Sequence, residues 1–106
     1  FPTHETTSVV TLDPKLEQEI MGSVKQTENG AYLALDPEKT KGIMKSVGNE
    51  IAKLENLGKS PIVITSPIVR MYFKRLTEDY YKDLIVVSYN EIENNIELQS
   101  VGMVTA

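Results

Sequence analysis

Apolar positions fall along this chain in two rhythms: short β-branched runs that read as strands, and stretches with apolar residues three and four apart that read as helices. The clearest unit spans residues 60–92. Ile62, Val63 and Ile64 open after Pro61 and close on Thr65-Ser66, the pattern of a strand buried on both faces. Ser66 then stands at a helix N-cap with Pro67 at the first helical position, where the missing amide costs no hydrogen bond. Val69, Tyr72, Phe73, Leu76 and Tyr80 predict one apolar helix face, and Leu84, Ile85, Val86 and Val87 a second buried strand. A strand, helix, strand path of this kind predicts a right-handed parallel crossover.

The same junction recurs upstream. Residues 9–12 predict a strand, Asp13-Pro14 a cap and first helical position, and Leu16, Ile20, Met21 and Val24 a buried helix face, with residues 25–30 as the turn out. Residues 32–35 predict another strand, after which Asp36-Pro37 starts a longer helix carrying Ile43, Met44, Val47, Ile51 and Leu54 on one side and Gly58 at its end. Leu12-Asp13-Pro14 leads to Ile20-Met21 at the same spacing as Leu35-Asp36-Pro37 to Ile43-Met44, which is one junction chemistry used twice rather than a solenoid repeat. Residues 91–95 are polar and turn-prone. Ile96 and Leu98 then alternate on one side, and Val101 and Met103 on the other after a phase change near Ser100, so Gly102 marks a bulge in an edge strand. Residues 1–8 predict a tail or linker. Residues 9–106 predict a single compact α/β domain with a mixed, mostly parallel sheet of about five strands and three helices in βαβαβαββ order.

Composition narrows the function. At 106 residues the chain supports one core. Lys plus Arg 11 against Asp plus Glu 15 gives −4, and no basic stripe supplies the counterion release that drives nucleic-acid binding. The apolar runs fall far short of the roughly 20 residues that span a bilayer. The absence of Cys removes thiolate chemistry and disulfides and fits a reducing compartment. Opening on Phe1, without a charged apolar leader, the chain is expected to be a segment of a longer polypeptide.

Candidate chemistry is sparse. Gly58-Lys59-Ser60 resembles the end of a phosphate-binding loop, but Lys53 stands where the first glycine is needed and a strand follows instead of a helix. Asp13, Asp36 and Ser66 follow three predicted strands, where open α/β sheets place ligands, yet the proline after each is the mark of an N-cap. His4 is solitary, so it lacks the partners of a metal site or a base. Glu91, Glu93 and Glu97 with Asn94 and Asn95 lack the alternation and central glycine of a calcium loop. Tyr72, Phe73 and Tyr80 at helical spacing read as core, with Tyr81 exposed. No catalytic, cofactor-binding or metal-ligating residue is assigned, and neither cofactor nor metal is expected.

The order of elements, with VVTLDPKLEQEI at residues 9–20, ALDPE at 34–38, SPIVRMYFKRLTE at 66–78, DLIVVSYNEI at 83–92 and IELQSVGMV at 96–104, resembles the C-terminal cytoplasmic domain of the FHIPEP family, the FlhA-type flagellar type III export proteins. Tyr89 and Asn90 resemble the flagellar rather than the virulence branch. The resemblance implies a non-enzymatic part of a protein export gate on the cytoplasmic face of the bacterial inner membrane. It further implies assembly with copies of itself into a nine-membered ring that docks chaperone-substrate complexes and passes substrates to the channel, beside other export apparatus proteins. Tyr89, Asn90, Glu91 and Ile92, emerging together at a sheet end, are the candidate partner contact, although Asn90 equally suits a turn. The alternative is a small α/β ligand- or phosphate-binding domain using Asp13, Asp36 and Ser66.

Overall fold

Each proline-led junction folds the chain from extended backbone into helix. The computed structural model, which describes residues 5–106, runs β1 (Glu5–Leu12), α1 (Pro14–Gly22), β2 (Val24–Thr27), β3 (Gly30–Leu33), α2 (Pro37–Asn56), β4 (Ile62–Thr65), α3 (Pro67–Thr77), β5 (Ile85–Ser88), a 3-10 turn (Tyr89–Glu91) and β6 (Ile96–Val104). The α/β class, the three helices and the mostly parallel pairing agree with the sequence reading. The main sheet has the order β5-β4-β1-β6 with every pairing parallel.

Three expectations need correcting. Residues 25–30 are not merely a turn: Val24–Thr27 pairs antiparallel with Gly30–Leu33 as a separate two-stranded hairpin, adding a sixth strand and giving βαββαβαββ. Its turn depends on Gly30 at φ 109°, a left-handed conformation that a side chain would strain. Val24 thus belongs to the hairpin, and Met21 is exposed because α1 buries only Leu16 and Ile20. Secondly, β1 starts at Glu5, so half of the expected tail pairs with β6, from Glu5 opposite Ile96 onward. Residues 1–4, with His4, lie outside the described residues. Thirdly, α3 stops at Thr77, whose hydroxyl donates to the Phe73 carbonyl at 2.9 Å, and Tyr80 falls beyond the helix and is 65% exposed.

The core lies on one face of the sheet. Val10, Val63 and Val86 stand opposite one another across β1, β4 and β5 and share a single buried cluster with α2 residues Ile43, Val47, Ile51 and Leu54 and α3 residues Val69 and Phe73. Alternation turns Val9 and Ile64 to the other face, where they are buried outside that cluster, while Ile85 and Met103 on the edge strands are exposed. Continuous β-branched runs therefore reflect two faces with unequal cover.

The longest helix is anchored at both ends. Asp36 Oδ1 accepts from the Glu38 amide at 2.8 Å, and Gly58 at φ 71° closes the last turn with Gly58 N to Glu55 O and Lys59 N to Leu54 O, both 2.9 Å. Along its length α2 grips the edge strand: Ser46 Oγ accepts from Thr105 N at 2.9 Å, and Glu50 Oε1 from Met103 N at 3.0 Å. The register of β6 slips between its pairs with Val9 and Val10, placing Val101 as the extra residue, so the bulge predicted near Ser100 and Gly102 is present in an edge strand.

Candidate partner-contact site

β5 ends in a buried Ser88 and passes directly into the 3-10 turn of Tyr89, Asn90 and Glu91. The turn is held by the Glu91 carboxylate. Ser88 N donates to Glu91 Oε1 at 2.9 Å, and Ser88 Oγ donates to the same oxygen at 2.9 Å while lying against the Asn90 side-chain oxygen. Arg70 of α3 brings its Nε within 2.6 Å of Glu91 Oε1, an ion pair by distance whose N–H is not aimed along the contact. The Ser88 amide and then its hydroxyl hold the Glu91 carboxyl below its ordinary 4.5; partial burial opposes them and the Arg70 charge assists.

The four candidate residues therefore divide. Glu91 and Asn90, although exposed, bring side-chain oxygens onto Ser88 and shape the turn. Tyr89 is 53% exposed, and Ile92, half-buried, follows where Ile92 N closes the turn on the Tyr89 carbonyl at 3.4 Å. A rigid turn thus presents an aromatic and an aliphatic side chain at the end of β5, tied to α3 through Arg70. The contribution of Arg70 was not visible in the sequence, where it falls on the polar side of a helix 21 positions upstream of Glu91.

The alternative constellation does not assemble. Asp13 Oδ1 accepts from Lys15 N at 3.1 Å and Asp36 caps α2, so both carboxylates serve helix starts. Asp36 also follows the hairpin rather than a strand of the main sheet. Ser66 occupies the N-cap of α3 but makes no side-chain cap; instead its amide donates to Glu17 Oε2 of α1 at 2.7 Å, and its hydroxyl is buried without a partner. Among the described residues no three His, Cys, Asp or Glu side chains gather as a metal site, and no helix is long and apolar enough to cross a membrane.

Comparison with known proteins places this architecture. Over 101 residues, 95% of its length, the chain is 45% identical to the flagellar biosynthesis protein FlhA of Bacillus subtilis, of which it spans 15%. Its fold superposes on the Chlamydia pneumoniae CdsV protein with a TM-score of 0.82 at 40% identity, covering 92% of this chain and 28% of that one. It superposes equally well, at 30% identity, on the nonameric EPEC SctV-C, covering 94% of this chain and 29% of that one. The chain thus corresponds to a minor part of each of these relatives. Residues 1–97 match the FHIPEP family, and the chain belongs to it.

Proposed function

We propose that this chain is a non-enzymatic part of the flagellar type III protein export gate. It sits in a cytoplasmic ring of like copies at the inner membrane, docks chaperone-substrate complexes, and hands export substrates to the channel. The observation that carries the reading is the 45% identity to a flagellar FlhA across 95% of the chain. The nonameric state of SctV-C supports ring assembly. The turn of Tyr89 to Ile92 is the proposed contact: an exposed aromatic fixed by a capped turn loses little side-chain freedom when a partner covers it, which favours aromatic anchors at interfaces.

The test is a chimera in which this chain replaces the matching segment of Bacillus subtilis FlhA. Motile cells and capture of flagellar chaperones are expected. Within the chimera, Tyr89→Ala should weaken chaperone capture while ring assembly by electron microscopy is unchanged. Rings that form normally without chaperone capture would overturn the docking role, and full capture by a variant carrying Tyr89→Ala and Ile92→Ala would remove the contact from this turn.

A further inference from the structure

Away from that turn, the tip of the β2-β3 hairpin is built from Thr27, Glu28, Asn29 and Gly30, all exposed, with Thr27 paired to Gly30. Asn29 is the only one of the chain's six asparagines that precedes a glycine. Gly30 has no Cβ to shield its amide nitrogen, and nothing lies within 4 Å of the place where one would stand. Asn29 enters the hydrogen bonds of the turn through its backbone alone, so its carboxamide is free to swing towards the next peptide. The other five are placed differently. Asn49 and Asn56 lie in α2, whose backbone hydrogen bonds resist rotation, and Asn90 has its side-chain oxygen on Ser88. Asn94 and Asn95 precede Asn95 and Ile96, whose side chains crowd the amide that follows each.

We infer that Asn29 is a site of spontaneous deamidation, at which the Gly30 amide nitrogen attacks the Asn29 side-chain carbonyl carbon and the side-chain amide leaves as ammonia. The attacking nitrogen gives its proton to hydroxide and the departing amide takes one from water, leaving a cyclic imide. Water then opens the imide at either carbonyl, to aspartate or to isoaspartate, the latter with one extra carbon in the backbone. Either product adds a negative charge beside Glu28. Only water is consumed, and no step returns the amide, so the modified fraction grows with the age of the molecule. Thr27 sets the rate. Its Oγ1 accepts from Asn29 N at 3.2 Å and donates to the Gly30 carbonyl at 2.8 Å, gripping both sides of the peptide that must rotate for the ring to close. Because the hairpin is separate from the four-stranded sheet, its tip can open without unfolding the core. This inference does not depend on the export role or on the Tyr89 turn.

The test is incubation of the native chain at neutral and mildly alkaline pH, then tryptic digestion under mildly acidic conditions and mass spectrometry. The peptide of residues 26–39 carries Asn29 as its only asparagine. It should gain the mass of an amide-to-acid conversion, faster as pH rises, and become a substrate for isoaspartyl methyltransferase, while the peptides holding the other five asparagines stay amidated. Thr27→Val should speed the conversion by about threefold or more, the factor that one exposed hydrogen bond is worth, and Thr27→Ser, which keeps the hydroxyl, should restore the native rate. In aged protein, faster hydrogen exchange should be confined to residues 24–33. Conversion at Asn29 no faster than at Asn94 or Asn95 would overturn the site. A Thr27→Val rate at or below the native one would overturn the clasp, and faster exchange throughout β1 and β4 would overturn the local opening.

Discussion

The hydroxyl of Tyr81 donates to the carbonyl oxygen of Met44 at 3.1 Å and lies directly over Gly48, where an added Cβ would come to 2.5 Å from the phenolic oxygen but only 3.5 Å from the ring carbon bearing it. A residue expected on the surface is thus half-buried across α2, and a glycine in mid-helix, normally unfavourable, is explained by the ring that crosses it.

The pair predicts a reversal of sign. Gly48→Ala alone should destabilise by about 1 to 3 kcal/mol, because the Cβ and hydroxyl cannot share the space. With Tyr81→Phe in place, the same Gly48→Ala should be neutral or stabilising by up to about 1 kcal/mol through helix propensity. Urea denaturation of the four combinations measures the coupling; additive effects would mean that the hydroxyl does not sit there.

The bulge of β6 makes a second such test. Glu50 Oε1 accepts from Met103 N and from Lys53 Nζ, the latter at 2.8 Å, and a Cβ on Gly102 would collide with that carboxylate. Glu50→Ala should cost about 0.5 to 1.5 kcal/mol by removing the acceptor of the exposed Met103 amide, whereas Glu50→Gln, which keeps an oxygen acceptor, should cost less. In the Glu50→Ala background Gly102→Ala should be better tolerated than in the native chain. Thermal unfolding of these variants would decide it.

The three proline-led caps should not respond alike. Asp13→Ala and Asp36→Ala each remove an acceptor for a helix amide and should cost about 1 kcal/mol. Ser66→Ala should cost nothing or stabilise slightly, because the buried hydroxyl has no partner. Glu17→Ala should be costly in its place, since Glu17 satisfies the Ser66 amide from a different helix. Magnesium added to the native chain should leave these stabilities unchanged; a magnesium-dependent rise lost in Asp13→Ala would restore the ligand-binding alternative.

Acid should loosen the turn at Tyr89. The folded Glu91 carboxyl titrates below 4.5, so its contribution is complete above that pH and is lost as pH falls through the lower folded value. The difference in stability between the native chain and Glu91→Gln should accordingly be constant above about pH 5 and shrink below 4.5. Denaturation midpoints across that range measure it. A difference that grew on acidification would place the Ser88 and Arg70 contacts elsewhere.

Much of this was written locally. The five apolar positions of α2 follow one helical face and all five are buried, Asp13 and Asp36 cap the helices they precede, and the phase change after Ser100 is the bulge in β6. Each depends on residues within a few positions of one another, so spacing and side-chain type suffice. At the candidate turn the sequence offered only Asn90 as a turn former; the hold of Glu91 on Ser88, three residues away, was not read from it. The hairpin was obscured because its first strand carries no alternation: Lys25, Gln26 and Thr27 are all polar and exposed. What tertiary structure alone decided are the meetings of distant residues: Glu17 with Ser66, Tyr81 with Met44 and Gly48, Glu50 with the bulge, and Arg70 with Glu91. Those depend on which elements become neighbours, and burial of a shared apolar face selects neighbours without recording them at any one position in the chain.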